Sequence, residues 1–301
     1  MRLVKFTIDG VAKTGTVEGD QITPLGGGEL LDLIWRDGDR PLAGLAPTTR
    51  RRYALDEVRL LPPVVRHPRC LFATGWNYRT HFEEGQGKRG GDVEEPTAPT
   101  FFSKPASTIV GPHDPISIDQ DVSSQFDYEA ELVVVIGRPG RNISQADAFS
   151  HVFGYMVAND VSARDVQRRH GGQWFKGKAM DRTCPLGPWI VTADEIPEPE
   201  ALTIDCLVNG EVRQHADTAS MAFPIPRLLE ELSAGMTLLP GDILLTGTPA
   251  GVGFARTPPT YLVDGDQVIS RISSIGELQN RVRQVQPTDS MPEYGAAYAV
   301  D

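Results

Sequence analysis

Residues 3–8 alternate apolar and polar positions, residues 12–17 resume the alternation, and Asp9-Gly10 stands between them. That is the pattern of a half-buried hairpin closed by a tight turn. Gly19-Asp20 supplies a second turn, so residues 1–24 are predicted to form a small β-meander. Apolar positions within 30–35 suit a short helix. Pro62-Pro63 then ends regular structure and stiffens the chain, which puts a domain border near residue 65.

Beyond residue 70 the pattern is rich in strands. Strands are predicted over 70–74, 100–103, 126–136, 153–158 and 243–246, with strand-like character over 263–272 around Asp264-Gly265. Residues 203–215 read as a hairpin about Asn209-Gly210. Helices are predicted over 143–151, with Ser144 as cap, over 161–169 and over 225–234. Residues 81–96 hold four glycines and many charges, too polar to build a core, and read as a mobile surface loop of the kind that forms lids. Periodicity fades from about residue 286. Strands outnumber helices and many are joined by tight turns. The expected class is therefore α+β, dominated by β, with a sheet sandwich or roll at its centre. The expected division is a small N-terminal domain over 1–65, a catalytic domain over 66–285 and a tail over 286–301.

Charge narrows the function. The 301 residues carry 29 Lys and Arg against 40 Asp and Glu, a formal net charge of −11. A nucleic-acid binder needs a basic stripe, and the short cluster Arg164, Arg168, Arg169 does not make one. No apolar run approaches the roughly 20 residues of a membrane span. Cys70, Cys184 and Cys206 form no CxxC and no zinc-ligand spacing, so they read as reduced thiols. The N-terminus turns acidic after Met-Arg-Leu-Val-Lys-Phe and does not read as a signal peptide, so a cytoplasmic location is expected.

The acid surplus raises the question of a metal site. In Asp127-Tyr128-Glu129-Ala130-Glu131-Leu132, strand alternation puts Glu129 and Glu131 on one face, continued by Val133 and Val135. Like charges so close repel and are costly to bury, so they either reach water at a strand end or are neutralised by something positive. A second segment, Asn159-Asp160-Val161-Ser162-Ala163-Arg164-Asp165-Val166-Gln167, runs from a strand into a predicted helix. Asp160 suits a helix cap, and Asp160, Arg164 and Gln167 fall at i, i+4 and i+7. Three carboxylates with open positions suit Mg²⁺ or Mn²⁺. His81 and Glu84, three apart, can pair as a carboxylate-oriented general base, or stand as an exposed histidine beside a charge run. Lys178 follows a glycine that lets backbone approach a ligand, although a lone lysine is also an ordinary surface charge. The loop Thr246-Gly247-Thr248-Pro249-Ala250-Gly251-Val252-Gly253 offers backbone N–H groups and hydroxyls, yet it is neither a P-loop nor a dinucleotide fingerprint.

Several ordered motifs carry a resemblance. They are Gly75-Trp76-Asn77-Tyr78 with His81-x-x-Glu84, Phe102-Ser103-Lys104-Pro105, and the Asp127–Leu132 and Asn159–Asp165 segments quoted above. Gly177-Lys178 with Pro185-Leu186-Gly187-Pro188, and Thr246-Gly247-Thr248-Pro249, complete the order. Over about residues 70–275 the sequence resembles the fumarylacetoacetate hydrolase family. The resemblance implies a mixed β-sandwich roll with a small N-terminal domain, a homodimer, and small-molecule 2-oxo acid or 1,3-diketone substrates. It implies a divalent metal, usually Mg²⁺ with Mn²⁺ or Ca²⁺ as alternatives, on Glu129, Glu131 and Asp160. It makes His81 and Glu84 a catalytic dyad and Lys178 a polarising or oxyanion group. It puts Lys104, Arg164 and Gln167 on the pocket wall, with Thr248 holding a substrate carboxylate. The activity expected first is hydrolysis of the C–C bond of an acylpyruvate through a metal-stabilised enolate. Oxaloacetate decarboxylation and 2-oxo acid isomerisation are the alternatives on the same site. A carboxylate-binding protein without turnover is a third reading, which the retained His81–Glu84 pair disfavours. Ala179 stands where a serine is common after the Gly-Lys pair, and the loop 85–95 departs from the family pattern.

Overall fold

Two turns that demand positive φ are formed as their sequences require. Asp9 and Gly10 have φ of 53° and 76° and join the strand Arg2–Ile8 to Val11–Glu18, with Ile8 opposite Val11. Asn209 and Gly210, at 53° and 80°, join Thr203–Val208 to Glu211–Asp217 in the same way. Positive φ at both central residues gives a turn whose twist matches that of the flanking strands. This computed structural model describes residues 1–26, 29–37, 49, 51–64, 69–88 and 94–285. The expected border at residue 65 and the tail over 286–301 lie outside those residues.

The strands form one 12-stranded and one five-stranded sheet, with a two-stranded ribbon. The N-terminal meander does not stand apart from the larger sheet. Arg2–Ile8 pairs antiparallel with Cys184–Thr192, which leads on through Val152–Asn159, Ala130–Ile136, Ile243–Leu245, Leu71–Gly75 and Thr100–Lys104. Most pairings are antiparallel, but Ile243–Leu245 runs parallel to Leu71–Gly75, so the sheet is mixed. The five-stranded sheet orders Glu211–Asp217, Thr203–Val208, Gln267–Ile272, Gly276–Gln284 and Ile116–Ile118. The arrangement is the β-dominated sandwich expected from the pattern.

Every residue of the central strand Ala130–Ile136 is buried. Leu132, Val134 and Ile136 face one apolar core with Ile204, Val268 and Leu278 of the five-stranded sheet. Val133 and Val135 face a second core with Met156, Ala158 and Leu186. A strand covered on both faces needs a continuous apolar run, which is what the sequence has here. The helices Leu30–Asp37 and Ile225–Ser233 fall where the pattern places them.

Three elements differ from expectation, each because a tertiary contact outcompetes a local preference. The strand predicted over 126–136 breaks at 128–129: Phe126–Asp127 pairs with Ser162–Ala163, and the long strand starts at Ala130. The helix predicted over 161–169 starts only at Arg164, because residues 162–163 are held extended by that ribbon. Over 143–151 only Ala148–His151 is helical, as a 3₁₀ turn, because the start of the segment is tied to Ser233: the Asn142 N–H donates to its carbonyl and the Ile143 N–H to its Oγ, both at 2.9 Å. In the expected lid, His81 and Glu84 stand on a short helix, Arg79–Glu84, whose Phe82 is buried; residues 89–93 lie outside the described set.

Candidate active site

Antiparallel pairing assembles the acids. Ala130 at the start of the central strand faces Asn159 at the end of Val152–Asn159, so Glu129, Glu131 and Asp160 meet at the same end of these two neighbouring strands. Side chains take over from the ladder there. The Glu129 N–H donates to Asn159 Oδ1 at 3.0 Å, Asp160 N–H to the Glu129 carbonyl at 2.8 Å, and Ala130 N–H to Gln214 Oε1 at 3.0 Å. One carboxylate oxygen from each of Glu129, Glu131 and Asp160 lies within 4.8 Å of the other two. All three side chains are buried. Asp160 is therefore not a helix cap, and it does not share a helical face with Arg164 and Gln167.

Cations surround two of the three acids. Lys178 Nζ bonds Glu129 Oε2 at 2.5 Å and Asp160 Oδ2 at 2.6 Å. Arg164 Nη2 reaches Glu129 Oε1 at 2.5 Å, while its Nε donates to Asp127 Oδ2 at 2.9 Å. Lys104 Nζ meets Asp160 Oδ1 at 2.8 Å and donates to the Lys178 carbonyl at 2.5 Å. Burial works against the Glu129 carboxylate, but Arg164 and then Lys178 more than offset it and hold its pKa at about 2. Burial lowers the Lys178 ammonium, yet Asp160 and Glu129 push it above the ordinary lysine value, so it is charged. Glu131 is different. Among the described residues no Lys or Arg comes within ion-pair distance of it, and its Oε2 accepts only the Gly247 N–H, at 2.7 Å. Burial first, then repulsion from Asp160 and Glu129, pushes its carboxyl well above the usual range.

Those facts test whether a metal fits. Four acids, Asp127, Glu129, Glu131 and Asp160, face three cations, Lys104, Arg164 and Lys178. The uncompensated acid is one of the clustered three. A hard divalent cation with oxygen ligands would neutralise it, so the donor set fits.

Opposite the acids, His81 Nδ1 pairs with Glu84 Oε1 at 2.7 Å. Glu84 Oε2 in turn accepts the Gly251 N–H at 2.8 Å, which ties the dyad to the loop 246–253. Three of that loop's N–H groups go to carboxylates, Gly247 to Glu131, Gly251 to Glu84 and Gly253 to Asp127 at 2.7 Å, and the adjoining Phe254 N–H also reaches Asp127 at 3.0 Å. An added Cβ at Gly253 would collide with the Thr260 carbonyl, so the close approach requires glycine.

Of the expected site residues, His81, Glu129, Glu131, Arg164, Gln167, Lys178 and Thr248 line two adjoining cavities. A small inner one of about 30 Å³ is lined by Thr74, His81, Glu129, Glu131, Lys178 and Thr248 among others. An outer one of about 230 Å³ is lined by Trp76, His81, Arg164, Gln167, Arg168, Trp174 and Phe254. Gln167 borders both, and its Oε1 lies 3.4 Å from Arg164 Nη1. Thr248 Oγ1 donates to the Ala130 carbonyl at 2.9 Å and accepts from Gln214 Nε2 at 2.7 Å. Lys104, expected on the wall, is instead fully buried behind Asp160. Three residues at the site went unread in the sequence: Asp127, Asn159 and Gln214. Asp127 and Asn159 lay inside the quoted motifs, but a lone Gln214 gave no signal.

Arg164 also holds the site together. Arg164→Ala would leave Asp127 and Glu129 buried and facing each other without their shared cation, at a cost of about 3–5 kcal/mol. Urea denaturation at neutral pH measures it. Arg164→Lys is expected to recover only part, because an ammonium cannot reproduce the fork that spans two carboxylates.

A family model described as fumarylacetoacetate (FAA) hydrolase C-terminal matches residues 70–283, and one described as Rv2993c-like, N-terminal, matches residues 1–63. The chain is 46% identical over 230 residues to "Oxaloacetate tautomerase YisK" of Bacillus subtilis, covering 76% of this chain and 75% of that one. It is 45% identical over 244 residues to human "Oxaloacetate tautomerase FAHD2A, mitochondrial", covering 81% and 74%. Among solved structures, the fumarylacetoacetate hydrolase from Exiguobacterium antarcticum aligns with a TM-score of 0.82 at 40% identity, over 95% of this chain and 100% of that one. A 2-hydroxyhepta-2,4-diene-1,7-dioate isomerase from Mycobacterium marinum aligns at 0.76 and 35% identity, over 94% and 98%. With its acid cluster, its His–Glu dyad and a family match over most of its length, the chain belongs to the fumarylacetoacetate hydrolase family of enzymes.

Proposed function

We propose that this protein is a divalent-metal-dependent tautomerase that interconverts the enol and keto forms of a 2-oxo diacid of the oxaloacetate type. The names of its relatives favour this over C–C hydrolysis, the activity expected first from the motifs. The observation that carries it is His81. Among the described residues lining the two cavities it is the one imidazole, a ring that can accept a proton at one nitrogen and give it back, and it borders both cavities. Enol and keto forms differ only in one proton, carried on the C2 oxygen or on C3. With Nδ1 donating to Glu84, the neutral ring carries its lone pair on Nε2. His81 removes the enol proton there and returns it to C3, so the balance closes on one group. Lys178 and Arg164, both charged, favour the negative oxygen that exists between the two transfers. A divalent metal on Glu129, Glu131 and Asp160 would supply Lewis-acid polarisation of the 2-oxo group. Mg²⁺ as that ion and a homodimer as the working assembly belong to the same proposal.

Hydrolysis of an acylpyruvate is the second reading, favoured by the Glu84–His81 contact, which also suits a base that activates water. Purified protein with Mg²⁺ is given enol oxaloacetate, and separately acetylpyruvate and fumarylpyruvate, and loss of enol or diketone absorbance is followed. Accelerated ketonisation of oxaloacetate, with the acylpyruvates left intact, is expected. Cleavage of an acylpyruvate without acceleration of oxaloacetate ketonisation would sink the tautomerase and leave the hydrolase.

A further inference from the structure

The outer cavity is lined by two arginines that stand in very different electrostatic situations. Arg164 is buried and ion-paired with Asp127 and Glu129. Arg168 lies one helical turn further out on the same helix, Arg164–Arg169, and borders the same cavity. Among the described residues, no Asp or Glu comes within ion-pair distance of Arg168. The groups that hold it are neutral. Its Nη1 donates to Gln125 Oε1 at 3.3 Å, its guanidinium lies 5.4 Å from the centre of the Phe254 ring, and the Tyr261 phenol is beside it. Arg164 stacks on the same ring at 4.6 Å. No Asp or Glu is found among the described residues that line this cavity. The inner cavity is lined by Glu129 and Glu131, and the outer one presents a positioned, uncompensated guanidinium above an aromatic wall of Trp76, Trp174 and Phe254. That combination suits a ligand with a flat or apolar body and an anionic far end.

We propose that Arg168 is a specificity-determining residue whose guanidinium takes the second carboxylate of a 2-oxo diacid whose first end lies against the Glu129–Glu131–Asp160 cluster. The inference rests on the 2-oxo acid reading of the site and adds which end groups are selected. The outer cavity, at about 230 Å³, has room for more than the short arm of oxaloacetate, so longer diacids gain from Arg168 as well.

Binding in the presence of Mg²⁺ tests it, by titration calorimetry of 2-oxoadipate against 2-oxohexanoate, which match in length and differ in the far carboxylate. Wild type is expected to prefer the diacid by about tenfold, the size of one charge-assisted contact at a solvent-facing site. Arg168→Gln is expected to lose that preference and Arg168→Lys to keep part of it. Oxalate, which has no arm reaching Arg168, is expected to bind all three alike. A preference that is absent in wild type, or that survives in Arg168→Gln, overturns the proposal. Enol oxaloacetate is assayed on the same preparations, which separates the two failures. A lost preference in Arg168→Gln with no turnover by wild type leaves the recognition standing and removes the tautomerase. Turnover by wild type with an unchanged preference in Arg168→Gln removes the recognition alone.

Discussion

Glu131→Gln is expected to lower Mg²⁺-dependent turnover by about 10³-fold, the scale of several kcal/mol of lost charge stabilisation at a metal. It should also abolish the rise in melting temperature that Mg²⁺ gives the wild type. The same substitution is expected to raise the melting temperature of the metal-free protein. Glu131 is buried beside Glu129 and Asp160 with one backbone N–H as partner, so its carboxyl is pushed above the usual range. Below the pKa of an unfolded glutamate, about 4.3, the side chain is protonated in both states and behaves like the amide. As pH rises past that value, the unfolded chain gives up its proton while the folded one resists, and the wild type loses stability relative to the variant. The gap in melting temperature should therefore be small near pH 4 and widen toward neutrality. Melting curves of the two metal-free proteins from pH 4 to 8 measure it. A gap that is constant with pH, or a variant less stable at pH 7, would contradict the charge account of this cluster.

His81→Ala should separate chemistry from metal binding. The imidazole lines both cavities and is held by Glu84, but it is not one of the three clustered carboxylates. Its removal is expected to lower kcat by about 10²- to 10⁴-fold, the usual worth of a positioned acid–base group. Mg²⁺ affinity, read by calorimetry, should change little, and KM less than kcat. Glu84→Gln keeps an acceptor oxygen for His81 Nδ1 but loses the charge, so its loss should be the smaller. If His81→Ala abolished Mg²⁺ binding, His81 would belong to the metal's surroundings and the assigned proton-transfer role would fail.

Much of the site was legible because the family motifs hold residues that the fold brings together. Glu129 and Glu131 could be placed on one face from strand alternation alone. His81 and Glu84 could be paired from their spacing on a helical turn. Lys104 was misplaced because a motif names a residue without saying which way its neighbours point: it backs Asp160 from the interior. The loop 246–253 offered backbone N–H groups, yet those of Gly247, Gly251 and Gly253 are taken by Glu131, Glu84 and Asp127. Nothing local to Gln214 announces that its amide joins Ala130, Thr248 and Pro249.

By itself the sequence determined the local features: the two turns with positive φ, the continuous apolar run of the central strand, the β-dominated class, and the residue types a divalent metal needs. These follow from backbone sterics and from the period of side-chain burial, which act over a few residues. Tertiary structure decided the rest. The ribbon between Phe126–Asp127 and Ser162–Ala163 overrode helix formation at residue 162 and moved Asp160 off the helix. Pairing of Arg2–Ile8 with Cys184–Thr192 carried the N-terminal meander into the large sheet. The division of cations, with Lys178, Lys104 and Arg164 ion-paired with the acids and Arg168 left uncompensated at the outer cavity, depends on distances between segments far apart in the chain. Coulombic energy is set by those distances and by burial, and neither can be read from the order of residues.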